Sequence, residues 1–236
     1  MKIKNNKGFS LFELSIVLII SSIMIGGFYL SSRLINSSRL ANAINLTAQI
    51  NLTENSNLVL WLETTNIGVK EVSSSEIKAW NDLSINQFSF QSSENPPLLK
   101  GSKTFRGINS INFNENAIKS QSPLNLNEYT IFVVANPTLT QGNIYNFGFS
   151  LKSSEMLGNR IVILKNDGVE KSIKLNNKSD FHYQSASDIP EAAQDTNFIG
   201  DNNFKGEIFE IIMFNKVLNE NQIDKIEDYL YNKYSR

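Results

Sequence analysis

The chain has no cysteine, which excludes a disulfide framework and any metal site built on thiolates. Its single histidine, His182, has no imidazole partner for zinc, and no Ser–His–Asp or Cys–His arrangement forms around it. In the run Phe181-His182-Tyr183-Gln184 it alternates with two aromatics and reads as a surface residue of a strand. An excess of charge is missing too. There are 22 basic and 23 acidic residues, a formal net charge of −1, so the basic surface of a nucleic-acid-binding protein is absent. Proline is scarce, and the first stands at position 96, so none interrupts an N-terminal helix.

What is present begins at the N-terminus. Lys2, Lys4 and Lys7 form a short basic leader, and Leu14 to Leu30 (LSIVLIISSIMIGGFYL) carries no charge. As a helix, Phe9 to Leu30 spans about 33 Å, enough for a bilayer core of about 30 Å. Glu13 does not fit a plain anchor, because an acid in that setting costs about 2.5 kcal/mol near the bilayer centre and less near its edge. Its natural partner is an amine. A cut between Gly8 and Phe9 would create one, one helical turn before Glu13 and on the same face. An ordinary secretory signal needs a small-residue cleavage site just after the apolar run, but Ala41-Asn42-Ala43 lies well beyond Leu30, past Arg33 and Arg39. A simple signal anchor would need neither Glu13 nor Gly8-Phe9. The leader predicts a cytoplasmic N-terminus, which Arg33 and Arg39 oppose weakly. A chain starting at Phe9 would hold 19 basic and 23 acidic residues, a net charge of −4.

Residues 7–15, K-G-F-S-L-F-E-L-S, resemble the class III signal of type IV prepilins and pseudopilins. That resemblance covers about the first 30 residues. It implies cleavage after Gly8 by a prepilin peptidase, N-methylation of Phe9, and subunit docking through Phe9 and Glu13 into a helical filament with other pilin or pseudopilin subunits. It also implies a single-pass inner-membrane protein with its C-terminal domain in the periplasm, passing then to a pilus or pseudopilus. Two departures stand out. Many pilins close their C-terminal region with a disulfide, and many major pilins carry a proline in this helix. The missing proline leans towards a pseudopilin or minor pilin.

Helical spacing continues through Leu30, Leu34, Ala41, Ile44, Ala48 and Leu52, so one helix is expected from Phe9 to Leu52, apolar all round at first and amphipathic later. Gly26-Gly27 is a weak spot within it. The polar stretch Thr53 to Asn57 marks a boundary. The chain is therefore divided into a leader (1–8), a membrane-spanning and amphipathic helix (9–56) and a domain (57–236). Ten β-type runs follow, at 58–62, 88–91, 108–113, 129–135, 143–149, 160–165, 172–175, 181–184, 196–200 and 207–214. Asp167-Gly168 signals a hairpin between two of them. Asn219 and Gln222 form a capping box for a closing helix whose apolar stripe is Ile223, Ile226, Tyr229, Leu230 and Tyr234. The fold class is α+β: a long hydrophobic N-terminal helix, an antiparallel sandwich of jelly-roll type and a short C-terminal helix.

LVLWLE, IKAWNDLS, INF, YTIFVVA and the closing NFKGEIFEIIMFNKVLNENQIDKIEDYLYNKY are similar to the concanavalin A-like, laminin-G-like domains of bacterial surface proteins, over Leu58 to Tyr234. That similarity implies a lectin-like domain with a glycan or other surface ligand. Some members are glucanases that use alternating carboxylates on one strand. Here the nearest pair, Glu207 and Glu210, is three residues apart. In a regular strand they would face opposite ways, with Glu207 at the entrance and Glu210 towards solvent or the closing helix. No catalytic residue is assigned, and the chain is read as a non-enzyme. Calcium is a candidate ligand of the family type. Asp195, Asp201, Asn202 and Asn203 form one oxygen-rich loop and Asn166-Asp167-Gly168 another, although neither matches an EF-hand and turn chemistry accounts for both, so no cofactor is assigned. Trp80 and Trp61 read as core, and Asp82 as a turn residue bonded to backbone. The function read from all this is a filament subunit displaying a lectin-like sandwich. The alternative is a membrane-anchored adhesive or carbohydrate-binding protein that forms no filament.

Overall fold

The computed structural model describes the chain except residues 1–9, 66–68, 72–74, 93, 103, 121–123, 125, 157–159, 169, 176–181, 186–196 and 235–236. Helix α1 (Leu11–Gln49) runs 39 residues, about 58 Å. Every residue from 10 to 38 is exposed, apolar side chains included. Ser15 and Ser22 donate their hydroxyls to Phe12 O and Leu18 O, which hides those polar groups within the apolar helix. Burial begins in the second half, where Ala43 and Thr47 are covered and Leu46 and Ile50 partly so. The helix stops at Gln49 rather than Leu52 because Asn51 turns left-handed (φ 47°), a conformation asparagine tolerates better than most residues. A 3₁₀ turn, Leu52–Glu54, then leads into the sandwich.

Two antiparallel sheets face each other. The first runs β13 (His182–Ser185), β12 (Glu170–Leu175), β11 (Ile161–Asn166), β8 (Tyr129–Pro137), β15 (Lys205–Phe214), β6 (Asn109–Asn114) and β5 (Leu98–Gly101), with β1 (Leu58–Glu63) paired to the far half of β15. The second runs β10 (Ser150–Lys152), β9 (Asn143–Asn146), β14 (Asn197–Ile199), β7 (Ile118–Ser120), β4 (Ser89–Ser92), β3 (Ile77–Asn81) and β2 (Val69–Glu71). Each of the ten expected runs overlaps a strand, although Phe181 and Thr196 lie outside the described residues. Among the described residues five further strands, β2, β3, β5, β7 and β10, are three to five residues long, too short for alternation to declare them. The expected strand at 143–149 breaks after Asn146, whose side chain accepts from Gly148 N in a turn, and β10 returns alongside β9.

The central strands β8 and β15 are buried along nearly their whole length because the first sheet is covered on both faces. Ile131, Val133, Ile208, Ile211 and Met213 point towards the second sheet, into a core that includes Trp80 and Phe90. Phe132, Val134, Phe209, Ile212 and Phe214 point the other way, into a second core closed by α1 and the final helix α3 (Glu220–Tyr234). Helix α3 starts at the expected capping box, with Gln222 N donating to Asn219 Oδ1 (3.0 Å) and Asn219 N to Gln222 Oε1 (3.2 Å). Its five stripe residues are all buried.

The seam between α1 and the sandwich depends on one glycine. Gly107 has φ +85°, and a Cβ there would stand 2.7 Å from Asn36 O and 2.9 Å from Asn36 Cα. Both the backbone conformation and the close approach demand glycine. Gly107→Ala is expected to destabilise the folded chain by about 1–3 kcal/mol and to speed tryptic cleavage at Arg39, whose guanidinium donates to Arg106 O across this seam. Unchanged cleavage and stability in that variant would show that the seam closes without the glycine.

Candidate functional site

Two places on α1 carry the functional geometry, its N-terminus and the seat of its second half. At the N-terminus, Ser10 is the N-cap. Its hydroxyl accepts from Phe12 N (3.3 Å), and Glu13 Oε2 accepts from Ser10 N (2.8 Å). Glu13 therefore closes a capping box on its own helix, at the end where the helix dipole favours negative charge. Gly8 and Phe9 lie outside the described residues.

The seat is a buried polar node. In the first sheet Glu63 of β1 pairs directly with Glu210 of β15. Like charges opposite each other on adjacent strands repel. Lys233 of α3 resolves the conflict: its Nζ lies 3.0 Å from Glu63 Oε1 and 2.8 Å from Glu210 Oε2, and none of the three side chains is exposed. The same ammonium donates to Thr47 Oγ1 of α1 (2.8 Å) and to Tyr229 OH (2.8 Å). Glu210 also accepts from Trp61 Nε1 (2.7 Å), Tyr229 OH (2.8 Å) and Tyr234 OH (2.8 Å). Glu63 Oε1 accepts from the backbone N–H of Thr65 (2.7 Å) and from its hydroxyl. Burial pushes both tyrosine hydroxyls well above their ordinary range, and the nearby Glu210 charge adds to it, so both remain donors. The node joins α1, β1, β15 and α3 through one charged centre. A second pair, Lys174–Glu227 (2.5 Å), ties α3 to β12.

The expectation that Glu207 and Glu210 face opposite ways is corrected by the register. Ile208 pairs with Ala135 and Glu210 with Val134, so Phe209 is an extra residue in a β-bulge. The bulge resets the alternation and turns Glu207, Phe209 and Glu210 all towards the helix side of the sheet. Glu207 is not merely an entrance residue: its carboxylate accepts from Thr104 Oγ1 (2.6 Å), Ser110 Oγ (3.0 Å) and Asn136 Nδ2 (3.3 Å). Glu210 faces α3 and not solvent. Each carboxylate is occupied by a different set of donors, and Glu210 is closed off completely.

In the expected ligand loop, Asp201 spends its carboxylate on the protein. Oδ2 accepts from Asn143 N (2.7 Å) and Asn143 Nδ2 (2.9 Å), and Oδ1 from Asn203 N (2.8 Å). Asn202 and Asn203 lie in the turn that follows, while Asp195 falls outside the described residues. Asn166 accepts from Gly168 N (3.1 Å) in the β11–β12 hairpin. Among the described residues no group of three or more His, Cys, Asp or Glu side chains comes together as a metal would require. Trp80 is fully buried and donates to Glu63 O (3.0 Å). Asp82 accepts from the backbone of Trp61, Ser84 and Phe88, and burial still holds its carboxyl above the usual range. His182 belongs to β13.

The N-terminus is where comparison with known proteins is informative. Residues 3–29 match the prokaryotic N-terminal methylation motif. The methylation motif thus covers Gly8, Phe9, Glu13 and α1 as far as Tyr29; α1 is the one described helix long and apolar enough to cross a membrane. Likenesses to solved structures are weaker. Trypanosoma rangeli sialidase aligns with a TM-score of 0.41 at 12% identity, over 76% of this chain and 33% of that one. A mutant of Trypanosoma rangeli sialidase displaying trans-sialidase activity aligns with a TM-score of 0.41 at 10% identity, over 85% of this chain and 38% of that one. The chain spans 33% of the length of the first and 38% of the second, and likenesses of this size carry no argument. No curated protein matches the chain.

Proposed function

We propose that the chain is a type IV pilin-like or pseudopilin-like subunit. A prepilin peptidase cuts it between Gly8 and Phe9. Helix α1 anchors it in the inner membrane, N-terminus in the cytoplasm and sandwich in the periplasm, and then packs against other pilin or pseudopilin subunits. The sandwich, laminin-G-like in its sequence pattern, is displayed for surface recognition or adhesion, with a glycan among its candidate ligands. Its work is assembly and display, not catalysis. One observation carries the reading: within the methylation motif, Glu13 sits on a helix whose residues from 10 to 38 are all exposed. A surface of that size, apolar and with an acid at its tip, needs lipid and then neighbours.

Processing tests this reading. Intact mass and N-terminal sequencing of the membrane-associated protein should find Phe9 first, and Gly8→Lys should accumulate as the longer form. Wild-type protein that keeps residues 1–8 in cells with a working prepilin peptidase would sink it. A second reading, an anchored adhesive protein that builds no filament, draws on the capping box, since Glu13 already has a partner within its own helix.

A further inference from the structure

The chain has seventeen lysines, spread along its length, and only five arginines. Four of those five gather at the foot of the sandwich. Arg39 Nη1 donates to Arg106 O (3.4 Å). The Arg160 guanidinium lies 5.5 Å from the ring centre of Phe105, the residue before Arg106. Arg33 stands on α1 about 4.5 Å short of Asn36, where Gly107 meets the helix, and its guanidinium lies 4.7 Å from the ring centre of Tyr29. No acid lies between Glu13 and Glu54. Glu207, which holds Thr104 in the same loop, turns its carboxylate to Thr104, Ser110 and Asn136.

The position of this collar is set by the span. Leu30 ends the apolar run. Arg33 follows it by about 4.5 Å and Arg39 by about 13 Å along the helix axis. The polar layer on each side of a bilayer core is about 5–8 Å thick, and an arginine side chain reaches several ångströms along the axis. Tyrosine is enriched at that depth, and an arginine there can lay its stem along apolar surface and keep its guanidinium in the polar layer. Beside the collar, Ser38, Arg39 and Asn42 of α1 and Asn232 and Lys233 of α3 line a recess of about 370 Å³ above Ile108, with the Lys233 ammonium itself turned inward to Glu63 and Glu210. Its walls offer hydrogen-bonding side chains with one guanidinium among them. Arginine presents a flat fork of donors that matches phosphate two bonds at a time. As an orientation signal the collar would oppose the basic leader, so it calls for another role.

We propose that this arginine collar docks the foot of the sandwich on the phosphates of an anionic phospholipid surface, with a headgroup entering the Ser38–Asn232 recess. The inference rests on the membrane-anchored reading above. Docking of this kind holds the sandwich close to the bilayer while α1 is still in lipid, and releases it when the subunit leaves the membrane.

The test uses the full chain in lipid nanodiscs, either of phosphatidylcholine alone or of phosphatidylcholine with phosphatidylglycerol. Amide hydrogen exchange is followed in residues 104–108, with the turn at 166–168, at the other end of β11 from Arg160, as an internal reference. The expected result is several-fold slower exchange at 104–108 in the phosphatidylglycerol discs only. High salt and the triple variant Arg33→Gln, Arg39→Gln, Arg106→Gln should both abolish it, with the reference turn unchanged. Because Arg39 also bonds across the seam, Arg33→Gln alone should give a partial loss with the seam intact. Equal exchange in the two kinds of disc, from protein that is stably held in both, overturns the collar and leaves the anchor standing. Protection that follows protein concentration rather than lipid charge assigns the arginines to a second copy of the chain and likewise overturns it. A chain that fails to stay in either disc overturns the anchor, and the collar with it.

Discussion

Lys233→Met is expected to cost the sandwich about 3–5 kcal/mol, the range seen when one member of a buried ion pair is removed. The substitution keeps most of the side-chain volume, so packing is not the main loss. Glu63 and Glu210 would remain directly opposite each other, buried, with no cation between them. Glu210 would keep its three donors from Trp61, Tyr229 and Tyr234, but the repulsion would stand. Against a total stability of about 5–15 kcal/mol such a loss is large. Denaturant unfolding should reveal it, because Trp61 is bonded within the node and Trp80 belongs to the opposite core, so both indoles report. Glu63→Gln gives the contrast. Glutamine retains an acceptor for Thr65 and Lys233 and relieves the repulsion, so its cost should stay below about 1 kcal/mol. If Glu63→Gln proves as damaging as Lys233→Met, the node works by exact fit of its hydrogen bonds, not by charge balance. The consequence reaches α1, because Thr47 is held by the same ammonium. Weakening the node loosens the joint between the membrane helix and the displayed domain.

Much of this joint was within reach of the sequence, and the part that was not is specific. The apolar run, the Asn219–Gln222 capping box and the stripe on α3 are all local patterns, legible within a few turns of chain, and each is found in a helix. Lys233 lies on that stripe, three residues after Leu230 and four after Tyr229, and Glu227 lies four after Ile223. A charge inside an apolar stripe was the readable sign of a buried ion pair. Its partners were not readable. That Glu63 opposes Glu210 depends on the register of β1 against β15, which alternation within either strand does not specify. That Glu210 shares a face with Glu207 depends on a bulge at Phe209, and a single extra residue inverts every inference from period two. The arginines of the collar are scattered over 128 positions, and only the docking of α1 brings them together.

Glu13→Val is expected to insert in the membrane and to be processed, yet to fail to enter a filament efficiently. The substitution makes the span more apolar, so neither anchoring nor access of the peptidase to Gly8-Phe9 should suffer. What is lost has two parts, and the structure separates them. One part is the capping box: Glu13 Oε2 no longer accepts from Ser10 N, at a cost of about 1 kcal/mol to the first turn of α1. The other is the charge. In the proposed filament the processed amine of Phe9 on a neighbouring subunit meets Glu13, and two such charges about 4 Å apart attract by about 4 kcal/mol at an effective dielectric constant of 20, before desolvation is subtracted. Glu13→Gln separates these terms, because glutamine serves the N3 position of a capping box as glutamate does but carries no charge. The measurement compares sheared-filament and membrane fractions for wild type, Glu13→Val and Glu13→Gln, with N-terminal sequencing of each. If docking is ionic, both variants should be processed and both should stay in the membrane. Assembly of Glu13→Gln at the wild-type level would reduce the role of Glu13 to shaping its own helix end. Equal assembly of Glu13→Val would remove any docking role and favour the anchored protein that builds no filament. The capping box gives the ionic reading a further consequence. Ser10 N already holds the carboxylate at the tip of α1, on the first turn, where an incoming amine can reach it without the side chain first having to leave the lipid.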